Sequence, residues 1–335
     1  MNRVPMHAGS EFETCFREVT LRNRHWELAV LPELGCYWRQ LRISAKGQRL
    51  DLLLPQEEHP VAEAVGDESR DELDSYWQRG SYILGPWSNR IADARFEFDG
   101  ATHEMRANFP DGTAIHGDVR GRPWRVTQEQ DDFVEATLDS SDFDDFNFPF
   151  DVFFRHRLRL IGERLRVELD VENRDTRRAP VGLGFHPYFR RRLTPLDEDV
   201  LVRVPAKKVY PLERCLPVAP AIDAAGELDL RTLVPLGDRQ LDDCFTELED
   251  NIVRLVYPGT RVEVRFEIDP VFSHVVVYSP RKSNGEASDF VAIEPVSNVN
   301  NGFNLMARGW PQTGTKVLEP GETWGGAWDL SVGDV

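Results

Sequence analysis

The strict alternation of apolar and charged residues in the run from Leu165 to Glu172 is the feature that most constrains the fold. Leucine or valine occupies every second position of this run, and a charged residue follows each of them. Because successive side chains of a β-strand point to opposite faces, the run predicts a strand with one buried face and one exposed face. Residues 157–160 alternate in the same way, and Gly162-Glu163 lies between the two runs. Together the two runs predict a β-hairpin.

The same alternation recurs at several other places in the chain. It occurs in residues 95–98 before Asp99-Gly100, and in residues 254–257 and 262–268 on either side of Pro258-Gly259. A final edge strand is predicted at residues 328–332. Many antiparallel strands without crossover helices predict an all-β fold, a large antiparallel β-sandwich.

Helical periodicity and linkers are scarce. The best helical candidate, residues 61–77, is acidic and interrupted by Gly66, which predicts a surface insertion with at most a short helix. Residues 227–233 are a weaker candidate. The 22 prolines and 24 glycines are scattered along the 335 residues and mark no long linker. We therefore expect residues 1–335 to form a single domain.

The charge of the chain argues against several classes of partner. Lys and Arg total 40 and Asp and Glu total 57, so the formal net charge is −17. A nucleic-acid-binding protein needs a broad positive face, and a polybasic membrane-surface protein needs clustered positive charge. No window approaches the ~18 consecutive apolar residues of a transmembrane helix. No coiled-coil or interface signature indicates an oligomeric state.

The N-terminal residues and the cysteines bear on the compartment. Residues 1–16 are polar and charged, and they lack the apolar stretch of a secretory signal. The four cysteines are far apart and show neither CxxC nor zinc spacing; they are Cys15, Cys36, Cys215 and Cys244. We therefore expect reduced thiols in a cytoplasmic protein, with disulfides as the alternative.

Familiar catalytic signatures, such as GxGxxG, GxxxxGK[ST], GxSxG and HExxH, do not occur in the chain. Histidines and carboxylates stand instead inside segments rich in glycine, proline and aromatic residues, at predicted strand ends. These segments are residues 85–91, 115–117, 184–189 and 293–295, with residues 241–245 as a weaker fifth.

Two histidines lie in these segments. His186 precedes Pro187, which disfavours a helical backbone, so His186 is expected at a bent strand end that aims its side chain. A core histidine bonded to a backbone carbonyl is an equal alternative, and the same choice applies to His116 beside Gly117. A metal site on both histidines would need a third ligand that the sequence does not supply. Structural or surface roles are expected for the other six: His7, His25, His59, His103, His156 and His274.

Glu294 is the most conspicuous carboxylate, because it ends the apolar run 290–293 and precedes Pro295. A carboxylate at the end of an apolar strand is costly unless it is paired or used. Partial burial would raise its pKa toward the working range of a general base. The alternative is a structural glutamate in a salt bridge.

Arginine is concentrated in residues 155–192, which hold eleven arginines and only five acidic residues. Most of these arginines fall on outward positions of predicted strands, which indicates a solvated face. Arg190, Arg191 and Arg192 follow a candidate site segment directly, so they are candidates for holding a phosphate or a carboxylate.

Taken in order, the motifs resemble the aldose 1-epimerase (galactose mutarotase) family across nearly the whole chain. Each motif alone is weak, but their order in an independently predicted β chain is specific. The matching residues are Asn89-Arg90-Ile91, His116-Gly117 with Trp124, His186-Pro187-Tyr188-Phe189, Asp242 with Phe245, Glu294-Pro295 and Leu318-Glu319-Pro320-Gly321-Glu322.

The resemblance implies a supersandwich fold with an open cleft for a small-molecule sugar, and it implies no metal or organic cofactor. Glu294 would be the general base that deprotonates the anomeric hydroxyl, and His186 would be the general acid that protonates the ring oxygen. The ring would open, the C1–C2 bond would rotate, and closure would occur on the opposite face. Positions matching sugar-contacting residues are Arg90, His116, Asp242, Asn89 and Trp124, with Asp243 left open as a one-residue shift.

The aromatic residues Trp87, Trp124 and Tyr188 could offer a flat surface to the sugar, although core packing is the more frequent role of such rings. The segment Asp118-Val119-Arg120 departs from the family, whose better-known members have a second glycine soon after the His-Gly pair. This departure bears on substrate preference.

The resemblance leaves alternatives. A related branch acts on hexose 6-phosphates and typically has threonine after the histidine, so His186-Pro187 favours a free sugar while Arg190–Arg192 keeps a hexose-6-phosphate 1-epimerase open. A non-catalytic carbohydrate-binding protein on the same scaffold is the alternative from another class. A sandwich domain of a polysaccharide lyase or glycosidase is a further one, with less support because no separate catalytic domain is predicted.

Overall fold

The computed structural model describes residues 16–54 and 78–335, and antiparallel strands dominate both ranges. The largest sheet has nine strands, in the spatial order Arg125–Gln130, Phe133–Asp139, Val152–Ile161, Arg164–Asn173, Thr323–Asp334, Val262–Ile268, Ile252–Tyr257, Leu201–Arg203 and Val234–Pro235. The second has eight, in the order Ile222–Asp223, Ala206–Val209, Leu241–Leu248, His274–Ser279, Phe290–Val296, Gly184–Phe185 and Ile83–Leu84, with Tyr188–Arg190 also paired to Phe290–Val296.

Smaller sheets and short helices complete the described ranges. A four-stranded sheet consists of Val19–Arg22, Trp26–Leu31, Tyr37–Ala45 and Gln48–Asp51. Two-stranded sheets pair Ala179–Val181 with Lys316–Leu318, Leu212–Glu213 with Leu216–Pro217, Arg90–Ile91 with Ala114–Ile115, and Arg95–Phe98 with Ala101–Glu104. The helices are the α-helix Gly302–Ala307 and the 3₁₀ turns Pro32–Leu34, Ala92–Ala94, Val119–Gly121, Ser140–Asp142 and Gly226–Leu228.

The predicted hairpin around Gly162-Glu163 is confirmed. Strands Val152–Ile161 and Arg164–Asn173 pair from Ile161 opposite Arg164 onward. The four aliphatic side chains of the alternating run are fully buried, whereas its charged residues form ion pairs across the outer face. The all-β prediction is likewise confirmed by the two large antiparallel sheets.

The prediction of an edge strand at residues 328–332 is wrong. These residues belong to Thr323–Asp334, which pairs with Arg164–Asn173 on one side and with Val262–Ile268 on the other. Trp328 and Leu330 from this strand are buried in the core. The strand is therefore an interior strand of the nine-stranded sheet, and a short alternating run cannot show how many neighbours it has.

The helical predictions have mixed outcomes. Residues 61–77 lie outside the described residues. Residues 227–233 do not form an α-helix, and only the 3₁₀ turn Gly226–Leu228 occurs there. The α-helix Gly302–Ala307 was not predicted, because six residues are too few to establish a helical period. No helix within the described residues has the length and apolarity needed to cross a membrane.

The two large sheets pack face to face and form the main core. Phe185 of the eight-stranded sheet lies 5.5 Å from Trp328, and Phe189 lies 5.0 Å from Phe266, measured between ring centroids. The opposite face of the eight-stranded sheet is also buried, in a second cluster that includes Tyr188 and Phe290. One of its faces therefore supports the core, and the other is available to line a site.

The described cysteines are free thiols, at Cys36, Cys215 and Cys244. Burial raises the pKa of Cys36 and Cys244 above the ordinary value of a thiol, so both stay protonated near neutral pH. Cys15 lies outside the described residues.

The core should respond strongly to truncation at Leu169, which is fully buried in the central hairpin. Leu169→Ala is expected to lower the free energy of unfolding by about 2–5 kcal/mol, because it removes buried methyl groups and leaves a cavity. Urea denaturation measures the change. The matched control is Glu163→Ala at the exposed turn, expected within about 0.5 kcal/mol of wild type. A loss below 1 kcal/mol in Leu169→Ala would contradict the packing described.

Candidate active site

Glu294 reaches the site because side chains alternate along Phe290–Val296. Val291 and Ile293 pack into the core between the large sheets, whereas Phe290 and Ala292 belong to the second cluster on the opposite face. Glu294 lies two residues after Ala292, so its side chain points to the same face as those of Phe290 and Ala292, where it lines a cleft. It is only 2% exposed.

His186 is placed by the neighbouring short strand Gly184–Phe185. Phe185 points into the core, and the next residue therefore points to the cleft side. The backbone N–H of His186 donates to the carbonyl oxygen of Tyr82 at 2.9 Å, which continues the pairing of Phe185 with Ile83. The side chain then lies with Nε2 3.1 Å from Oε1 of Glu294. The two residues that the sequence nominated as acid and base are in contact.

Asp242 and Asp243 point in opposite directions along Leu241–Leu248. Asp242 shares its face with Cys244 of the second cluster and lines the cleft, whereas Asp243 shares its face with Leu241 and Phe245 of the main core. The thiol of Cys215 donates to Oδ2 of Asp242 at 3.2 Å. Of the two adjacent aspartates, Asp242 is thus the one that the structure brings to the site.

His116 lies in a tight turn opposite the sheet. Its φ of 63° and the φ of 72° at Gly117 are both left-handed. A Cβ at Gly117 would lie 1.9 Å from the carbonyl oxygen of Gly85, so only glycine fits there. The backbone N–H of His116 donates to the carbonyl oxygen of Asn89 at 2.9 Å. This turn brings the two cleft histidines to a ring-centroid distance of 5.2 Å.

Arg90 extends from the adjacent segment with its guanidinium held in place. Its Nε donates to Oδ2 of Asp111 at 2.9 Å, and its guanidinium carbon lies 5.1 Å from the ring centroid of Phe109. Arg90 lines the cleft, and because Asp111 occupies Nε, its terminal nitrogens remain as further donors. The side chain of Asn89 accepts a hydrogen bond from the backbone N–H of Arg90 at 2.8 Å.

The cleft encloses about 510 Å³, within the usual range for a small-molecule site. Its lining combines aromatic rings with many hydrogen-bond donors and acceptors, which suits a polyhydroxylated ligand. The lining residues are Gln78, Tyr82, Asn89, Arg90, Asn108, Phe109, Pro110, Ile115, His116, Arg120, His186, Tyr188, Asp242, Tyr278 and Glu294.

Burial governs the ionisation of the central pair. It raises the pKa of Glu294 well above its ordinary value, and the negative charge of Asp242 raises it further. Burial lowers the pKa of His186 to about 3, and the positive charge of Arg120 adds to that effect. Oε2 of Glu294 and Nδ1 of His186 have no hydrogen-bond partner among the described residues. The contact therefore favours one shared proton and no net charge on the histidine.

Comparison with known proteins identifies the family. A family model described as Aldose 1-epimerase matches residues 17–331. The chain belongs to the aldose 1-epimerase family. The uncharacterized protein YihR of Escherichia coli K12 is 29% identical over 228 residues, which cover 66% of this chain and 71% of YihR. The aldose 1-epimerase of Escherichia coli K12 is 26% identical over 180 residues, which cover 52% of this chain and 47% of that protein.

Among solved structures, a galactose mutarotase-like protein from Clostridium acetobutylicum is similar to this chain with a TM-score of 0.81. The identity is 21%, and the match covers 96% of each chain. At this identity the likeness concerns the fold alone. It confirms the predicted galactose mutarotase-like sandwich, and the family match confirms the resemblance inferred from the motifs.

Two aromatic residues in the segments typical of the aldose 1-epimerase family do not reach the cleft. Trp124, which the sequence suggested as a sugar contact, is 3% exposed and donates from Nε1 to the carbonyl oxygen of Val119 at 3.1 Å. Trp87 is fully buried and donates to the carbonyl oxygen of Ala114. Both rings therefore support the core behind the site. Tyr188 does line the cleft, with its ring stacked on His186 at 4.5 Å.

The arginines at 190–192 lie at a different cavity from the cleft of this aldose 1-epimerase family member. Arg191 is buried and bonded to the carboxylate of Asp199 and to the carbonyl oxygen of Gly237. Arg191 is therefore held in a structural ion pair, and none of the three arginines lines the cleft with the candidate acid and base.

The remaining described histidines do not line the cleft. His156 is buried and its Nδ1 lies 2.8 Å from the carbonyl oxygen of Glu168. His274 is buried between the carbonyl oxygens of Ser297 and Gln312. The ring of His103 stacks on Phe96, and His25 lies in the turn between strands Val19–Arg22 and Trp26–Leu31. His7 and His59 lie outside the described residues.

Several cleft residues were missed from the sequence. Tyr82 lies seven residues before Asn89 and carries no family signal, and Arg120 was noticed only as a departure from the family pattern. The others missed are Gln78, Asn108, Phe109, Pro110 and Tyr278. Tyr278 could have been found from its strand, because it alternates with Val277 of the core. In the part of the chain that is described, no group of three or more His, Cys, Asp or Glu side chains has a metal-site arrangement.

Proposed function

We propose that this protein is an aldose 1-epimerase that interconverts the α and β anomers of a free aldose, with Glu294 as the general base and His186 as the general acid. The observation that carries the proposal is the contact of 3.1 Å between these buried side chains at the bottom of a cleft of sugar size. A buried carboxyl with an unpartnered oxygen costs stability, which indicates selection for chemistry rather than for folding.

The reaction needs one proton to leave and one to arrive. Glu294 takes the proton of the anomeric hydroxyl while His186 gives one to the ring oxygen; the C1–O5 bond breaks and C1 becomes an aldehyde. Rotation about C1–C2 exposes the other face of the carbonyl. In closure the O5 hydroxyl adds to C1, its proton returns to His186, and Glu294 protonates the new anomeric oxygen. Protons balance over the cycle.

The electrostatics of the pair suit this exchange. Burial keeps the shared proton on Glu294 at rest, so ring opening needs this proton to pass first to His186 across their contact. Opening ends with a proton on Glu294 again, which is the uncharged arrangement that burial favours. Closure moves the proton back. A pair that shares one proton can thus work in both directions without a separate proton source.

The surrounding polar groups are proposed to hold the sugar. Arg90 offers directional donors, Asp242 accepts from adjacent hydroxyls, and His116 and Asn89 bond at the opposite wall. Burial lowers the pKa of His116 well below its ordinary value, and the positive charge of Arg120 adds to this effect, so His116 is proposed to bind as a neutral ring.

The adjacent aspartates provide a matched test of sugar binding. Asp242→Asn is expected to raise KM by about tenfold or more, because a hydrogen bond to a charged acceptor is lost. Asp243 faces away from the cleft, so Asp243→Asn is expected to keep KM within about twofold of the wild-type value. Steady-state kinetics on both variants measure the difference. Equal effects would contradict the assignment of Asp242 to the cleft.

Anomer exchange measured by NMR tests the function directly. The panel is glucose, galactose, arabinose, xylose and glucose 6-phosphate, with wild type run beside Glu294→Gln. Acceleration by wild type alone supports the proposal and ranks the sugars. Line broadening without exchange would favour a carbohydrate-binding protein, and acceleration restricted to glucose 6-phosphate would favour the phosphorylated branch.

A further inference from the structure

Tyr82 precedes the short strand Ile83–Leu84 and lies opposite His186, and its ring contacts both cleft histidines. Phe185 pairs with Ile83, and the next cross-strand neighbours are His186 and Tyr82, joined by a backbone hydrogen bond. Cross-strand neighbours put their side chains on the same face. The side chain of Tyr82 is 2% exposed and lies on the cleft side.

The Tyr82 ring touches both cleft histidines. Its centroid lies 4.9 Å from that of His186 and 5.9 Å from that of His116. Tyr188 packs on His186 from a different side, with the two rings inclined by only 12°. The His186 imidazole therefore has few orientations open to it, and the observed one turns Nε2 to Glu294.

The hydroxyl of Tyr82 joins two further groups. Its oxygen lies 3.3 Å from the Tyr188 hydroxyl, and it is hydrogen-bonded to Arg120. A guanidinium can only donate, so Tyr82 accepts from Arg120, and either tyrosine hydroxyl can donate in the contact between Tyr82 and Tyr188. The guanidinium carbon of Arg120 also lies 5.6 Å from the Tyr82 ring centroid. Burial raises the pKa of Tyr82 to about 12, so its hydroxyl stays a neutral link.

We propose that Tyr82 is a positioning residue for the proposed acid: its ring holds the His186 imidazole against Glu294, and its hydroxyl holds the charge of Arg120 beside both cleft histidines. The inference rests on the proposed function of the same site.

The charges around His186 predict the direction in which the pH dependence of kcat/KM changes when Arg120 or its link to Tyr82 is removed. The titratable and charged groups that face it are Glu294, His116, Arg120, Tyr82, Tyr188, Tyr278, Arg90 and Asp242. Burial is the largest cause that lowers the pKa of His186 and of His116, and the positive charge of Arg120 lowers both further. Activity requires one proton on the Glu294–His186 pair, and a second proton stops it. Removing the positive charge raises the pKa for that second proton, so the acid limb of kcat/KM moves to higher pH.

The experiment compares Tyr82→Phe, Arg120→Met and the double variant, with kcat, KM and the pH profile as readouts. Tyr82→Phe keeps the ring and removes the link to Arg120; it is expected to lower kcat about three- to tenfold, with KM within about twofold. Its acid limb moves to higher pH, and Arg120→Met moves it further. The double variant is expected to match Arg120→Met, because both changes act on the same charge. The control is Tyr210→Phe, whose hydroxyl bonds the carbonyl oxygen of Gln312 outside the cleft.

Contrary outcomes are distinct. An unchanged pH profile in Tyr82→Phe, or fully additive shifts in the double variant, would overturn the proposal. A rise in KM with unchanged kcat would make Tyr82 a sugar-binding residue instead. If Tyr82→Phe does not fold, an unmoved acid limb in Arg120→Met would be equally decisive. If wild type proves inactive, the proposed function fails, while NMR titration of His186 without sugar still tests whether these variants raise its pKa.

Discussion

Glu294→Gln is expected to lower kcat for anomer exchange by about 10²-fold or more, while the fold and the sugar affinity are retained. The amide has nearly the shape of the carboxylate but cannot accept the anomeric proton. Because burial raises the pKa of Glu294, the carboxyl is also an unfavourable group to keep in the folded protein. Thermal unfolding of the variant is therefore expected at the wild-type temperature or slightly above it.

Exchange rates and sugar titrations by NMR measure this prediction. Glu163→Gln at an exposed hairpin turn is the control for the same chemical change, and wild-type kinetics are expected there. Unchanged turnover in Glu294→Gln would contradict the assignment of Glu294 as the general base. A loss of turnover together with a large drop in melting temperature would instead indicate a structural glutamate.

His186→Asn is expected to lower kcat by roughly 10²- to 10⁴-fold, because the ring oxygen would then leave without a proton donor. His116→Asn is expected to raise KM as well, since this ring faces the ligand from the opposite wall of the cleft. The two histidines lie 5.2 Å apart, so the pair of variants separates proton transfer from binding within one small space.

The control for the histidine variants is His103→Asn, whose ring stacks on Phe96 away from the cleft. It is expected to keep both kcat and KM. If His186→Asn retains the wild-type rate, the acid lies elsewhere in the cleft. If both cleft variants change only KM, neither histidine transfers a proton.

The strands and the central pair could be predicted from the sequence because each has a local signature. Alternation of apolar and charged residues predicts a strand with one buried and one exposed face. Glu294 could be recognised because a carboxylate at the end of an apolar strand is energetically costly. The position of Thr323–Asp334 inside its sheet could not be predicted, since the number of neighbours depends on partners more than 50 residues away.

The wall residues of the cleft were harder to find for a similar reason. Tyr82 becomes part of the site only through its pairing opposite His186, 104 positions later in the chain. Trp124 shows the reverse error, because its place in a family motif suggested a sugar contact while its indole N–H bonds a carbonyl inside the core. A residue type and its spacing do not reveal which side of a loop faces the ligand.

The eight-stranded sheet packs into the main core with one face and carries the candidate site beside the second cluster on the other, and this ties its strand lengths to the proposed chemistry. A single-residue insertion or deletion within Phe290–Val296 would exchange the two faces, placing Glu294 among core side chains and an aliphatic residue in the cleft. Insertions and deletions are therefore expected to be tolerated better in the surface loops of this chain than within this strand. In the strand that carries the proposed base, a substitution leaves the facing of Glu294 unchanged, whereas a shift of one position reverses it.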